Sequence, residues 1–223
     1  TYLNYMLADL FRTPLSTKWT AYLNKTRADH ALMARRIHGI EHDKDKRLLM
    51  GDNILDAADL SYGNNNVGVD GYEHGNFVAS VVAGQPADSA YAGIFPQARL
   101  MIVRVCPDGY EYDKDVSSGI RYAVDNGAKV INLSLGKYTS PQAKMVNDAI
   151  AYAAAHDVLI VDAAGNNGRD IDTVAYYPSA LDNAGRPFEN YIRDGASGRD
   201  GNLLHNSNIG NPAGALNAPG DQI

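Results

Sequence analysis

Lys129-Val130-Ile131-Asn132-Leu133 is an apolar run of strand length, and Ser134-Leu135-Gly136 ends it with a polar residue and a glycine. Ser140-Pro141 then opens a helix, since serine caps the first free N–H groups and proline fits the first helical position. Met145, Ala149 and Ala153 keep four-residue steps along that helix as far as His156. Val158 to Ala163 is a second buried run, and Ala164-Gly165-Asn166-Asn167-Gly168 is a second polar turn. A helix between two such runs carries the chain back to the same end of the sheet, so the two strands are expected to lie parallel. The fold class expected is α/β: three layers, with a mostly parallel sheet covered on both faces. Ligands of such sheets bind beyond the carboxyl ends of the strands, where both polar turns fall.

The pattern extends in both directions from this unit. Asp115 to Asn126 carries Val116, Ile120 and Val124 at four-residue steps, with Gly127 as a stop, and reads as a helix. Arg99 to Val105 reads as a strand, Asn190 to Gly195 as a weaker one, and His74 to Ala83 as a helix of small and β-branched residues. Residues 1–50 differ: charged, and helical in pattern through Trp19, Tyr22, Leu23, Ala31 and Ala34. Gly63-Asn64-Asn65-Asn66 makes the following stretch loop-like. Two regions are expected, 1–50 as a helical insertion and 51–223 as the α/β domain.

The 223 residues match one large α/β domain, able to bury roughly 70% of its unfolded surface. A net charge of −6 argues against nucleic acid as a partner, because phosphate binding needs clustered Lys and Arg. Cys106 is the one cysteine, which excludes an internal disulfide. No apolar stretch approaches the ~20 residues of a membrane span. The chain begins with Thr1, so the absence of a leader decides nothing. Without a Gly-x-Gly-x-x-Gly loop, nothing calls for a nucleotide cofactor.

Three segments could carry chemistry. His74 heads its helix in Glu73-His74-Gly75-Asn76-Phe77-Val78-Ala79-Ser80-Val81-Val82-Ala83-Gly84. Histidine is the side chain that takes up and returns a proton near neutral pH, although an isolated one is more often a cap. Asn166 follows a buried strand, where its amide N–H could stabilise an oxyanion; an asparagine between Gly165 and Gly168 could equally be a turn residue, as Asn167 is expected to be. Ser134-Leu135-Gly136 could pair with an extended peptide as an added strand, or simply turn the chain.

In this order the three segments resemble the histidine, substrate-strand and oxyanion segments of subtilisin-like serine peptidases, the subtilase family (peptidase family S8). Tyr177-Pro178-Ser179-Ala180, Gly195-Ala196-Ser197 and Ala218-Pro219-Gly220 resemble further family segments. The resemblance implies a serine endopeptidase with a polypeptide substrate, His74 as base and Asn166 as oxyanion donor. Ser134, Leu135, Gly136 and Gly165 would line the substrate, and location would be secreted or periplasmic. Family members carry Gly-Thr-Ser-x-Ala around the nucleophile and Asp-Ser/Thr-Gly at the triad aspartate, and neither occurs here. The chain is therefore expected to hold a partial catalytic domain, without the first strand and the C-terminal part, and to be inactive alone.

The histidine helix departs from the family's His-Gly-Thr-His-Val-Ala-Gly at Asn76, Phe77 and Ser80, so a non-catalytic peptide-binding protein is the alternative. His38-Gly39-Ile40-Glu41-His42 fits an inverted zinc-peptidase pattern, a lesser alternative because Gly39 weakens the helix needed to align His38, Glu41 and His42. Asp108, Glu111, Asp113 and Asp115 offer oxygen ligands to calcium but read better as first-turn acids. No metal is expected to be catalytic, a structural calcium ion is left open, and nothing fixes the oligomeric state.

Overall fold

Each strand from Val130 onward pairs parallel with the next, which follows from how the intervening loops return the chain. The computed structural model describes residues 47, 50–68, 73–85, 92–106, 111–210 and 216–221. The chain divides into two compact units, Thr1–Asn53 and Ile54–Ile223. In the first unit the described residues include Arg47, which pairs with Asp52 at 2.6 Å. The helical reading of residues 1–46 and the His38/Glu41/His42 pattern lie outside the described residues.

In the second unit the described elements run α1 (Glu73–Ala83), α2 (Asp113–Asp125), β1 (Val130–Leu133), α3 (Ala143–Ala155), β2 (Leu159–Ala163), β3 (Tyr191–Ser197) and β4 (Leu216–Pro219). The sheet order is β1-β2-β3-β4, all parallel, with Val130 level with Leu159 and Ile160 level with Tyr191. An α/β architecture with a parallel sheet is thus observed. Because the strands point the same way, the loops after β1, β2 and β3 all leave from one edge.

Helices α2 and α3 pack together around Val116, Ile120, Val146, Ala149, Ile150 and Ala153, and Ile131 and Ile160 join them from the sheet. Ala149 and Ala153 are wholly buried, and their small side chains let α3 lie close to its neighbours. Both helices end in the same way. Ala128 N–H bonds to Ala123 O and Gly127 N–H to Val124 O after α2, with Gly127 at φ 86°. After α3, Asp157 takes the same left-handed position at φ 57° without being glycine.

The strand expected at Arg99–Val105 is not formed among the described residues. Val103 and Val105 pack on Gly119 of α2, where a Cβ would lie 2.5 Å from Val105 Cγ1. Leu100, Met101 and Ile102 remain 40–52% exposed, and no described strand offers them a ladder. A strand needs a partner, and an apolar run alone does not supply one. The start of α3 also differs from expectation. Ser140 is not its cap; its hydroxyl donates to Asp113 Oδ1 at 2.6 Å, and the helix begins after Gln142.

Candidate active site

His74 stands in the first turn of α1, whose C-terminal carbonyls are met by the N–H groups of Gly93, Ile94 and Phe95. Gly93 lies so close to the helix end that a Cβ there would meet Ala83 N at 2.7 Å. Ser80 sits within the helix with its hydroxyl bonded to Phe77 O at 2.7 Å, so the departures at Phe77 and Ser80 leave the helix formed. The His74 ring is exposed, and its Nε2 lies 3.0 Å from the carbonyl oxygen of Ser134, just beyond β1. Histidine and expected substrate segment, 60 residues apart in sequence, are therefore neighbours.

The Ser134 segment is held at both ends. Asn132 Nδ2 donates to Ser134 Oγ at 2.9 Å. Lys137 pairs with Asp113 at 2.7 Å and also donates to the Glu111 carbonyl. Asp113 further accepts from Gln142 N–H at 2.8 Å, so its carboxylate is fully engaged at the head of α2. Asp115 accepts from the Tyr62 hydroxyl at 2.8 Å. Both aspartates are thus committed to protein partners, while Asp108 lies outside the described residues. Among the described residues no three His, Cys, Asp or Glu side chains converge as for a metal.

Beyond β2, Gly165 adopts φ 99° and Asn166 is exposed at the tip of the turn. Asn208 holds this turn from beneath and is 2% exposed. Its Oδ1 accepts from the N–H groups of Asn167 (3.1 Å) and Arg169 (2.9 Å), and its Nδ2 donates to Ala164 O (2.7 Å) and the Tyr138 hydroxyl (3.1 Å). The Tyr138 hydroxyl in turn donates to Asn167 Oδ1 at 3.0 Å. Asn167 is therefore built into the turn, whereas among the described residues no group takes the Asn166 amide hydrogens.

Tyr176 fills the space between the two strand ends. A Cβ on Gly136 would collide with the Tyr176 hydroxyl, and one on Gly165 would lie 2.7 Å from the same oxygen. Neither Tyr176 nor Asn208 stands out in the sequence. Tyr176 adjoins the Tyr177-Pro178 pair but has no motif of its own, and Asn208 sits in a polar loop far from the turn it holds.

Below this floor lies a buried ion pair. Arg193 Nε and Nη2 both donate to Asp162 Oδ2, at 3.0 and 2.9 Å, and Nη2 also donates to the Pro178 carbonyl. Asp162 Oδ1 has no hydrogen-bond partner. Burial pushes the Asp162 carboxyl up to about 7 despite the opposing Arg193 charge. Burial first, then the Glu111 and Asp115 charges, pushes the Cys106 thiol up to about 12, which keeps it protonated and a poor nucleophile.

Comparison with known proteins identifies the family. A family model described as the subtilase family, Peptidase_S8, matches residues 27–220. The thermophilic serine proteinase of Bacillus sp. (strain AK1) is 31% identical over 187 residues, covering 81% of this chain and 41% of that protein. Thermitase of Thermoactinomyces vulgaris is 36% identical over 123 residues, 54% of this chain and 42% of that protein. The chain thus spans less than half the length of these relatives. Among solved structures, the prenylagaramide maturation protease PagA superposes with a TM-score of 0.56 at 32% identity, over 66% of this chain and 51% of the other. With a matching model over most of its length, and the fold of the solved proteases in its sheet, the chain belongs to the subtilase family.

Proposed function

We propose that this chain contributes the base and the oxyanion-stabilising turn of a serine endopeptidase. The observation that carries the reading is the 3.0 Å approach of His74 Nε2 to the Ser134 carbonyl, which brings the imidazole to the edge where a peptide would pair. Nε2 donates in this contact and takes up a proton only once its ring turns from the carbonyl or changes tautomer. In this reading a peptide lies along Ser134, Leu135 and Gly136, its backbone hydrogen-bonded as an added strand. His74 takes the proton from a serine hydroxyl as that oxygen attacks the carbonyl carbon, then returns it to the leaving amine. The Asn166 amide, beside Gly165, donates to the oxygen that gains charge. The nucleophilic serine and the aspartate that orients His74 would come from parts of the protein beyond these 223 residues. The substrate is a polypeptide. The described residues contain no helix long and apolar enough to cross a membrane. A secreted or periplasmic location belongs to the proposal on family resemblance alone, and cell fractionation tests it.

The test uses the full-length protein, a fluorophosphonate label and casein. One labelled serine and hydrolysis abolished by His74→Ala are expected. The 223 residues alone are expected to give neither, since loss of the nucleophile alone costs about 10⁶ in turnover in a subtilisin. Full-length protein that binds peptides but neither labels nor hydrolyses would replace this reading with the non-catalytic one.

A further inference from the structure

We propose that Tyr176 closes the crevice meant for the side chain on the acyl side of the scissile bond, restricting this protein to bonds that follow glycine, alanine or serine. The inference rests on the peptidase reading above and adds its substrate class.

The argument starts from the parallel sheet. Leu133 is level with Asp162, so Ser134–Gly136 and Ala163–Gly165 leave neighbouring strands side by side. A peptide paired with the first segment and offering its carbonyl to Asn166 must bridge from one segment to the other. The side chain of the bridging residue then enters the interval between them. Glycine at 136 and 165 leaves both walls as bare backbone, which would ordinarily make a wide slot. Here the phenol of Tyr176 occupies the Cβ direction of both glycines at once. The slot is therefore filled from below by this protein's own side chain.

Tyr176 is also fixed there. Lys137 and Tyr177 exchange two backbone hydrogen bonds, at 2.9 and 2.8 Å, which pin the backbone next to it against the substrate segment. The ring meets Tyr138 edge-on at 5.2 Å between centroids. The Arg193 guanidinium lies 5.3 Å from the ring centroid and is itself held by Asp162 and the Pro178 carbonyl. Only 9% of Tyr176 is exposed. A substrate side chain larger than a methyl or hydroxymethyl group would have to displace an aromatic ring locked on three sides.

The experiment compares kcat/KM of the full-length protein on two fluorogenic peptides differing only in Ala or Phe before the cleaved bond. A preference for Ala of about 10²-fold or more is expected, since even single methylenes discriminate by 10–200-fold in shaped pockets. Tyr176→Gly should shift the ratio toward Phe by about 10-fold or more, while Tyr176→Phe should keep the wild-type ratio because the ring stays. A ratio between two substrates does not depend on how much protein is folded. Phe cleaved as fast as Ala by the wild type overturns the inference and leaves the peptidase reading standing. Cleavage of neither peptide, with no labelled serine, overturns both.

Discussion

Asn208 spends both lone pairs and both N–H groups of its amide on the turn that presents Asn166 and on the tyrosine bonded to that turn. On the proposed peptidase reading it would act through Asn166, as a positioning residue. If the proposed peptidase reading holds, Asn166→Ala in the full-length protein should lower kcat by about 10²–10³ with KM little changed, the loss known for removing such a donor from a subtilisin. Asn208→Ala should also lower kcat more than KM. In an Asn166→Ala background, however, it should cost little further, because the group it positions is gone. Steady-state kinetics of the four proteins decide this, and full additivity would make Asn208 a structural residue only. Asn208→Asp keeps the acceptor but sets a second oxygen against the Ala164 carbonyl, and should lower kcat at least as far as Asn208→Ala. His74, Ser134 and Asn166 could be nominated from sequence because each occupies a short motif at a strand end or helix head. Asn208 and Tyr176 could not, because their roles depend on loops roughly forty residues away in the chain, and no local pattern encodes such a meeting.

At the scale of elements, the two Schellman-type helix ends make an internal comparison. Gly127 takes its left-handed conformation without steric cost, whereas Asp157 carries a Cβ at φ 57°. Asp157→Gly should stabilise the domain by about 0.5–1 kcal/mol, read as a raised denaturation midpoint, and an unchanged midpoint would show that the turn tolerates the side chain freely. Ile160, wholly buried in β2, should cost about 2–5 kcal/mol when cut back to alanine, since the cavity lies between sheet and helices. Helices α1 to α3 and strands β1 to β3 were legible because apolar periodicity and glycine stops are local signals. The failures were strands. Leu216–Pro219 pairs with β3 although its own pattern is weak, and 99–105 has the pattern but lacks a described partner. Pairing is decided between segments, so composition within one segment misjudges it in both directions.

For the molecule as a whole, the buried Asp162–Arg193 pair ties stability to pH. The Asp162 carboxyl sits at about 7 in the folded protein against 3.8 ordinarily, so the folded state holds its proton more tightly than the unfolded one. Its contribution is therefore complete below 3.8 and is lost as pH rises through about 7. The melting temperature of the wild type relative to Asp162→Asn should fall across that window, and a constant difference would show that Arg193 keeps the carboxylate charged throughout. The clamp on the Asn166 turn has a consequence in time. Asn208 lies 41 residues after Asn167, and synthesis at about 5–20 residues per second delivers it some 2–8 seconds later. During that interval the turn after β2 has been made but lacks the amide that binds the Ala164 carbonyl and the Asn167 and Arg169 N–H groups. The order in which residues leave the ribosome thus leaves the Asn166 turn without its clamp for seconds after its strand has been made.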